Sequence, residues 1–100
     1  MKSSKEIRND LANIRIYYTR IRGLCAGEKM GVQNHATEVI VEQYNEIIKN
    51  APAKMYDTYC GLYIEGHSIE SWAEKLGFAA STVSHWNCQL VAYLKQIINQ

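Results

Sequence analysis

Apolar side chains near the start of the chain recur at Ile7, Leu11, Ile14, Tyr18, Ile21 and Cys25. Spacings of four and three line these positions up as one stripe of an α-helix and leave the arginines outside. Ser3 followed three residues later by Glu6 forms a capping box, in which each side chain satisfies an unpaired amide of the first turn. The pattern predicts a helix from Ser3 that stops near Gly23 or Gly27. Such a stripe needs a partner, either the rest of this chain or a second copy, since about three heptads describe a short coiled-coil seam as well as an ordinary packed helix. Residues 27–34 hold two glycines and no period, and read as the main loop.

A second helix follows, with Ala36, Val39, Ile40, Tyr44, Ile47 and Ile48 on one face, and ends at Asn50-Ala51-Pro52, because a residue before proline is pushed out of helical geometry. From Ala53 to Glu65, Met55, Tyr59, Leu62 and Tyr63 fit a third helix, with Gly66 as its stop. Ser68 then caps a short helix carrying Ile69, Trp72, Ala73 and Leu76, and Gly77 closes it. From about Ala80 onward, Val83, Trp86, Leu90, Leu94 and Ile97 share a face, and no proline interrupts the run. The result is helix, tight turn, helix. In that arrangement Ala73 is small where two helices cross, Gly77 supplies a positive φ, and Val83 plugs the angle between them.

The predicted fold class is therefore all-α, with about five helices. With 100 residues the chain makes one compact unit, divided into a basic N-terminal helix over residues 1–31 and a helical region over 32–100. A hydrophobic fraction of 47%, 21% charged residues and a single proline allow a filled core. No apolar run approaches the roughly 18 residues of a membrane span, and the first residues lack the apolar centre of a signal peptide, so a cytoplasmic protein is expected. Cys25, Cys60 and Cys88 are odd in number and far apart, which suits reduced thiols rather than a disulfide framework. The net charge of +1 conceals an asymmetry. Residues 1–30 carry +4, from Lys2, Lys5, Arg8, Arg15, Arg20, Arg22 and Lys29 against Glu6, Asp10 and Glu28, which leaves −3 for residues 31–100.

The stretch Leu62-Tyr63-Ile64-Glu65-Gly66-His67-Ser68-Ile69-Glu70-Ser71-Trp72-Ala73-Glu74-Lys75-Leu76-Gly77-Phe78-Ala79-Ala80-Ser81-Thr82-Val83-Ser84 resembles the L-x-x-x-G-x-S-x-x-E-I-A-x-x-L-G-x-S-x-S-T-V pattern of sigma-70 region 4-like helix-turn-helix domains. With the long first helix and the Ile-rich second one, the chain looks most like small phage transcription regulators of the RinA/ArpU type. The specific part of the likeness covers roughly residues 59–98. It implies sequence-specific binding of double-stranded DNA, with the last helix in the major groove, and contact with RNA polymerase; it implies neither an enzyme nor a cofactor.

Carried over by position, the bases would be read by Ala80, Ser81, Thr82, Ser84, His85, Cys88 and Gln89. Helical geometry agrees for three of them: taking Val83 as the inward direction, His85 lies about 200° away, Ser81 about 160° and Cys88 about 140°, at 100° per residue. Hydroxyls, imidazole and carboxamide can all hydrogen-bond to base edges or phosphates.

The chain departs from the family pattern in its charge and its cap. Between Ala79 and Leu94 there is no Lys or Arg, although phosphate neutralisation supplies much of DNA affinity. Ala79 stands where the family usually places Ser, a loss of about 1 kcal/mol of capping unless Ser81 or a water compensates. Trp86 replaces an aliphatic residue. From Ala53 onward Lys54, Lys75 and Lys95 face Asp57, Glu65, Glu70 and Glu74, or −1. Phosphate contacts are therefore sought at Arg8, Arg15, Arg20 and Arg22 of the first helix and at Lys75, or in a homodimer that offers two weak half-sites. The rival expectation is an adaptor with this fold that docks RNA polymerase or another regulator and reads no DNA.

Other chemistry finds less support. Tyr18, Tyr44, Tyr59, Tyr63 and Trp72 fall at core-facing spacings, while Tyr17 and Tyr56 are less constrained. His85 and Cys88 stand at i and i+3 without a second pair of ligands, so no metal is expected. Cys25 and Cys60 read as small apolar fillers and His67 as part of a solvated turn. Glu70 and Glu74 lie at i and i+4 on a solvent face. No glycine-rich phosphate loop and no Ser, His and Asp constellation can be assembled for catalysis.

Overall fold

The computed structural model describes residues 1–23 and 35–100. Its elements are α1 (Ser4–Gly23), α2 (His35–Ile48), α3 (Ala53–Tyr59), which runs on as a π-helical turn over Cys60–Ile64, α4 (Ile69–Leu76) and α5 (Ala80–Ile98). The fold is all-α, with no strand among the described residues. The loop expected over 27–34, Cys25 and the side chain of Arg22 lie outside the described residues.

Local chemistry sets the boundaries. The amide of Glu6 donates to Ser3 Oγ at 3.2 Å, and the amide of Ser3 donates to Glu6 Oε1 at 3.1 Å. Ser68 Oγ accepts from the Ser71 amide at 3.0 Å. Gly66 and Gly77 both adopt left-handed backbone, with φ of 80° and 79°. The π-helical turn is the one element the apolar spacing does not predict. In it the Glu65 amide reaches back five residues to Cys60 O at 2.8 Å, a widening that shifts later side chains around the axis without breaking the helix.

Two clusters make the core. In the larger, Ile7, Leu11 and Ile14 of α1 meet Val41, Tyr44 and Ile48 of α2, Tyr59 of α3, and Leu90, Val91 and Leu94 of α5. The stripe on α1 therefore finds its partner within the same chain. The smaller joins Leu62, Trp72, Ala73 and Val83, so Val83 fills the angle between α4 and α5. Tyr63 packs against both.

Four expected core positions are exposed: Ala36, Ile21 by 39%, Val39 by 51% and Leu76 by 40%. Past Tyr18, α1 runs beyond its buried stripe, and the inward face of α2 is the narrower set Val41, Tyr44 and Ile48, spaced i, i+3 and i+7. Leu76 ends α4 next to the turn, where the helix leaves the smaller cluster.

Several polar groups among these helices are paired, whereas Trp72 Nε1 is buried without a hydrogen-bond partner among the described residues. Asn45 bridges two phenols, donating from Nδ2 to Tyr18 OH at 2.9 Å and accepting at Oδ1 from Tyr59 OH at 2.8 Å. Tyr44 OH donates to Asp10 Oδ2 at 2.7 Å, a carboxylate that Lys2 also contacts. Lys2 and Asn99 exchange two hydrogen bonds of 2.8 Å, which clasp the start of α1 to the end of α5. Among the described residues no helix is long and apolar enough to cross a membrane.

Candidate nucleic-acid interface

The turn between α4 and α5 is built from backbone. Gly77 N donates to Glu74 O at 3.2 Å and Phe78 N to Ala73 O at 2.9 Å, the paired bonds of a Schellman ending, which requires the left-handed residue that Gly77 supplies. Ala79 then opens α5 with no side-chain cap, so the missing hydroxyl is not replaced by Ser81. Val83, Asn87, Leu90, Val91 and Leu94 of α5 are buried. Asn87 lies on that inward face because its Oδ1 accepts from Tyr63 OH at 2.5 Å, a role that apolar spacing cannot reveal. Burial pushes the Tyr63 phenol up, while the nearby guanidinium groups of Arg8 and Arg15 act in the opposite direction.

The outward face of α5 carries Ser81, Ser84, His85, Cys88 and Gln89, all exposed, with Thr82 half-buried at its edge. Ala80, also half-buried, packs its methyl against the smaller cluster; about 60° from Val83 on the helical wheel, it points more inward than the other six.

A different element borders this face on each side. On the side of Cys88, α1 brings Arg8 close, with Nη2 at 3.8 Å from Cys88 Sγ. On the side of Trp86, the Phe78 ring meets Trp86 edge-on at 5.0 Å, and Lys54 Nζ stands 4.5 Å from the Trp86 centroid and 5.2 Å from that of Phe78. Lys54 belongs to the first turn of α3 and carries no periodic signal linking it to Trp86. Neither Arg8 nor Lys54 has a carboxylate partner among the described residues.

The remaining basic candidates sit elsewhere. Arg15 Nη2 donates to Gly66 O at 2.9 Å and to His67 O at 3.0 Å, satisfying carbonyls at the joint that enters α4; its guanidinium is engaged within the fold. Arg20 is exposed but lies about 18 Å further along α1 than Arg8, at 1.5 Å rise per residue. Lys75 pairs loosely with Glu65 at 3.7 Å and stands 5.5 Å from the Trp72 centroid. His67 is half-buried rather than in a solvated turn: its Nδ1 is 3.0 Å from Ser71 Oγ, its Nε2 3.4 Å from Glu65, and its ring 5.2 Å from that of Trp72.

No three His, Cys, Asp or Glu side chains converge on a metal-sized site among the described residues. Cys60 is half-buried, and burial raises its thiol pKa. An open pocket of about 220 Å³ beside α2 and α3 is lined by Asn45, Lys49, Tyr56, Tyr59 and Cys60 among others, but Asn45 and Tyr59 are already bonded to each other. No family model, curated protein or solved structure matches the chain.

Proposed function

We propose that the protein is a DNA-binding transcriptional regulator of the phage or prophage kind that the helix-turn-helix resemblance implies, with α5 as the reading helix. One observation carries this reading. A helix with five exposed polar side chains, Ser81, Ser84, His85, Cys88 and Gln89, is held at a fixed angle by Gly77 and Val83, and α1 lies alongside it. An α-helix with its side chains is about 10–12 Å across and the major groove about 12 Å wide, so such a face fits the groove. The stripe of α1 is used inside the chain, so a homodimer would need another surface.

A second reading, a module that docks a protein such as RNA polymerase, is favoured by one feature. Leu76 and Phe78, 40% and 47% exposed, place apolar surface next to the turn. Fluorescence anisotropy against random-sequence duplex at about 50 and 200 mM salt separates the two, because phosphate contacts weaken steeply over that range and apolar docking does not. Salt-sensitive binding supports the regulator. Absence of binding at low salt, with capture of RNA polymerase by the intact protein, supports the docking module.

A further inference from the structure

We propose that Arg8 and Lys54 form a two-sided phosphate clamp, one cation on each flank of α5, gripping the two strands that border the groove; this rests on the DNA reading above. The reading helix has no Lys or Arg between Ala79 and Leu94, so phosphate neutralisation has to come from neighbouring elements. Two elements supply it from opposite sides. With Val83 as the inward direction, Cys88 lies about 140° one way round α5 and Trp86 about 60° the other. Arg8 reaches the first, with Nη2 3.8 Å from Cys88 Sγ, and Lys54 lies over the ring of the second. The two directions are about 160° apart across the outward face, so the cations stand on different sides of a helix whose breadth, about 10–12 Å, is comparable to the major-groove width of about 12 Å.

Both cations are available and positioned. The thiol of Cys88 is a weak acceptor and leaves most of the guanidinium donors of Arg8 open. The faces of Trp86 and Phe78 hold the Lys54 ammonium without neutralising it, which reduces the rotamer freedom lost when a phosphate binds. Arg15 is taken up by its bonds to Gly66 and His67, and Lys75 has a carboxylate partner in Glu65 at 3.7 Å. Lys54 thus joins the interface from α3, an element that a reading confined to helix, turn and helix passes over.

The test is the salt dependence of duplex binding by the full chain and its variants. Each phosphate contact contributes about 0.9 to the slope of log Kobs against log salt. Arg8→Gln and Lys54→Gln should each lower the slope by about 0.9 and the double variant by about 1.8. Lys54→Arg should restore it, and Lys49→Gln, which removes a charge from the end of α2, should leave it unchanged. Circular dichroism and thermal melting establish that each variant is folded. A wild-type protein that binds with a steep slope, while either single variant keeps that slope, overturns the clamp and leaves the DNA reading standing. A wild-type protein that does not bind duplex overturns both.

Discussion

The indole of Trp72 lies against the bare backbone of Gly61: a Cβ added there would stand 2.3 Å from Trp72 Cε2 and 2.5 Å from Cδ2. The atoms met are fused-ring carbons of a side chain buried in the smaller cluster, with no flexible end to swing away. Gly61→Ala should therefore destabilise the fold by about 1–3 kcal/mol, the usual cost of overpacking. Thermal melting reads this directly, and Trp72→Leu in the same chain should recover part of the loss if the clash is the cause. Additive losses would show that the two residues do not interact.

Gly77 offers the contrast. A Cβ there meets nothing within 4 Å, yet its φ is +79°, so only the backbone conformation penalises a side chain. Gly77→Ala is expected to cost about 1–2 kcal/mol, and Gly77→Asn less, since Asn tolerates the left-handed region. Urea unfolding should show a lower midpoint with an unchanged m-value.

Arg15 acts within the fold. Its removal leaves two carbonyls at the entrance to α4 without their donor, and hydrogen bonds to a charged group contribute about 1.5–3 kcal/mol each. Arg15→Gln should lower stability by about that much and leave the salt slope of duplex binding unchanged. A lower slope in a variant as stable as wild type would place Arg15 on the phosphates instead.

Alkaline pH should unfold the protein early. Burial raises the phenol pKa of Tyr44, Tyr59 and Tyr63 above the ordinary 10.0. Above pH 10 the unfolded chain releases protons that the folded one keeps, so this stability is complete below pH 10 and falls as pH rises towards the folded values. The slope is about 1.4 kcal/mol per pH unit for each such phenol. Urea midpoints measured upward from pH 9 should drop, and Tyr59→Phe, though less stable at neutral pH, should show a shallower decline.

On the face of α5 proposed to read bases, His85→Ala and Ser81→Ala should relax sequence preference by about 1–3 kcal/mol at individual base pairs without changing the salt slope. Binding-site selection with each variant tests this. Unaltered selected sequences in both would remove these two residues from base readout.

Most of the helical frame was legible because its signals are local. The Ser3 and Glu6 box, the Ser68 cap and the left-handed Gly77 each act within a few residues. What the sequence concealed is contact across elements. Gly61 reads as a weak point in a helix until Trp72 is laid on it, and Lys54 as one more surface charge until Trp86 is beneath it. Arg15 counts as a free cation on the polar side of α1, although a carbonyl pair about fifty residues on takes up its donors. Asn87, polar on an apolar face, makes sense only once Tyr63 is opposite. Val39 and Ile21 failed in the other direction: the hydrophobic arcs of α2 and α1 are wider or longer than the surfaces available to cover them.

The helix α5 places Val83 in the smaller cluster and Leu90, Val91 and Leu94 in the larger, with the Tyr63 bond to Asn87 between them. Mechanically it is a stiff beam clamped at both ends, with no hinge along its length. Tilting its first turns would drag side chains out of the larger cluster, at a cost of the order of 2–5 kcal/mol for each one displaced. Bending a duplex through about 40–90° costs roughly 1–6 kcal/mol. Any mismatch in curvature between this face and a DNA site should therefore be taken up by the duplex, which would favour sites rich in pliable steps even at positions no side chain touches.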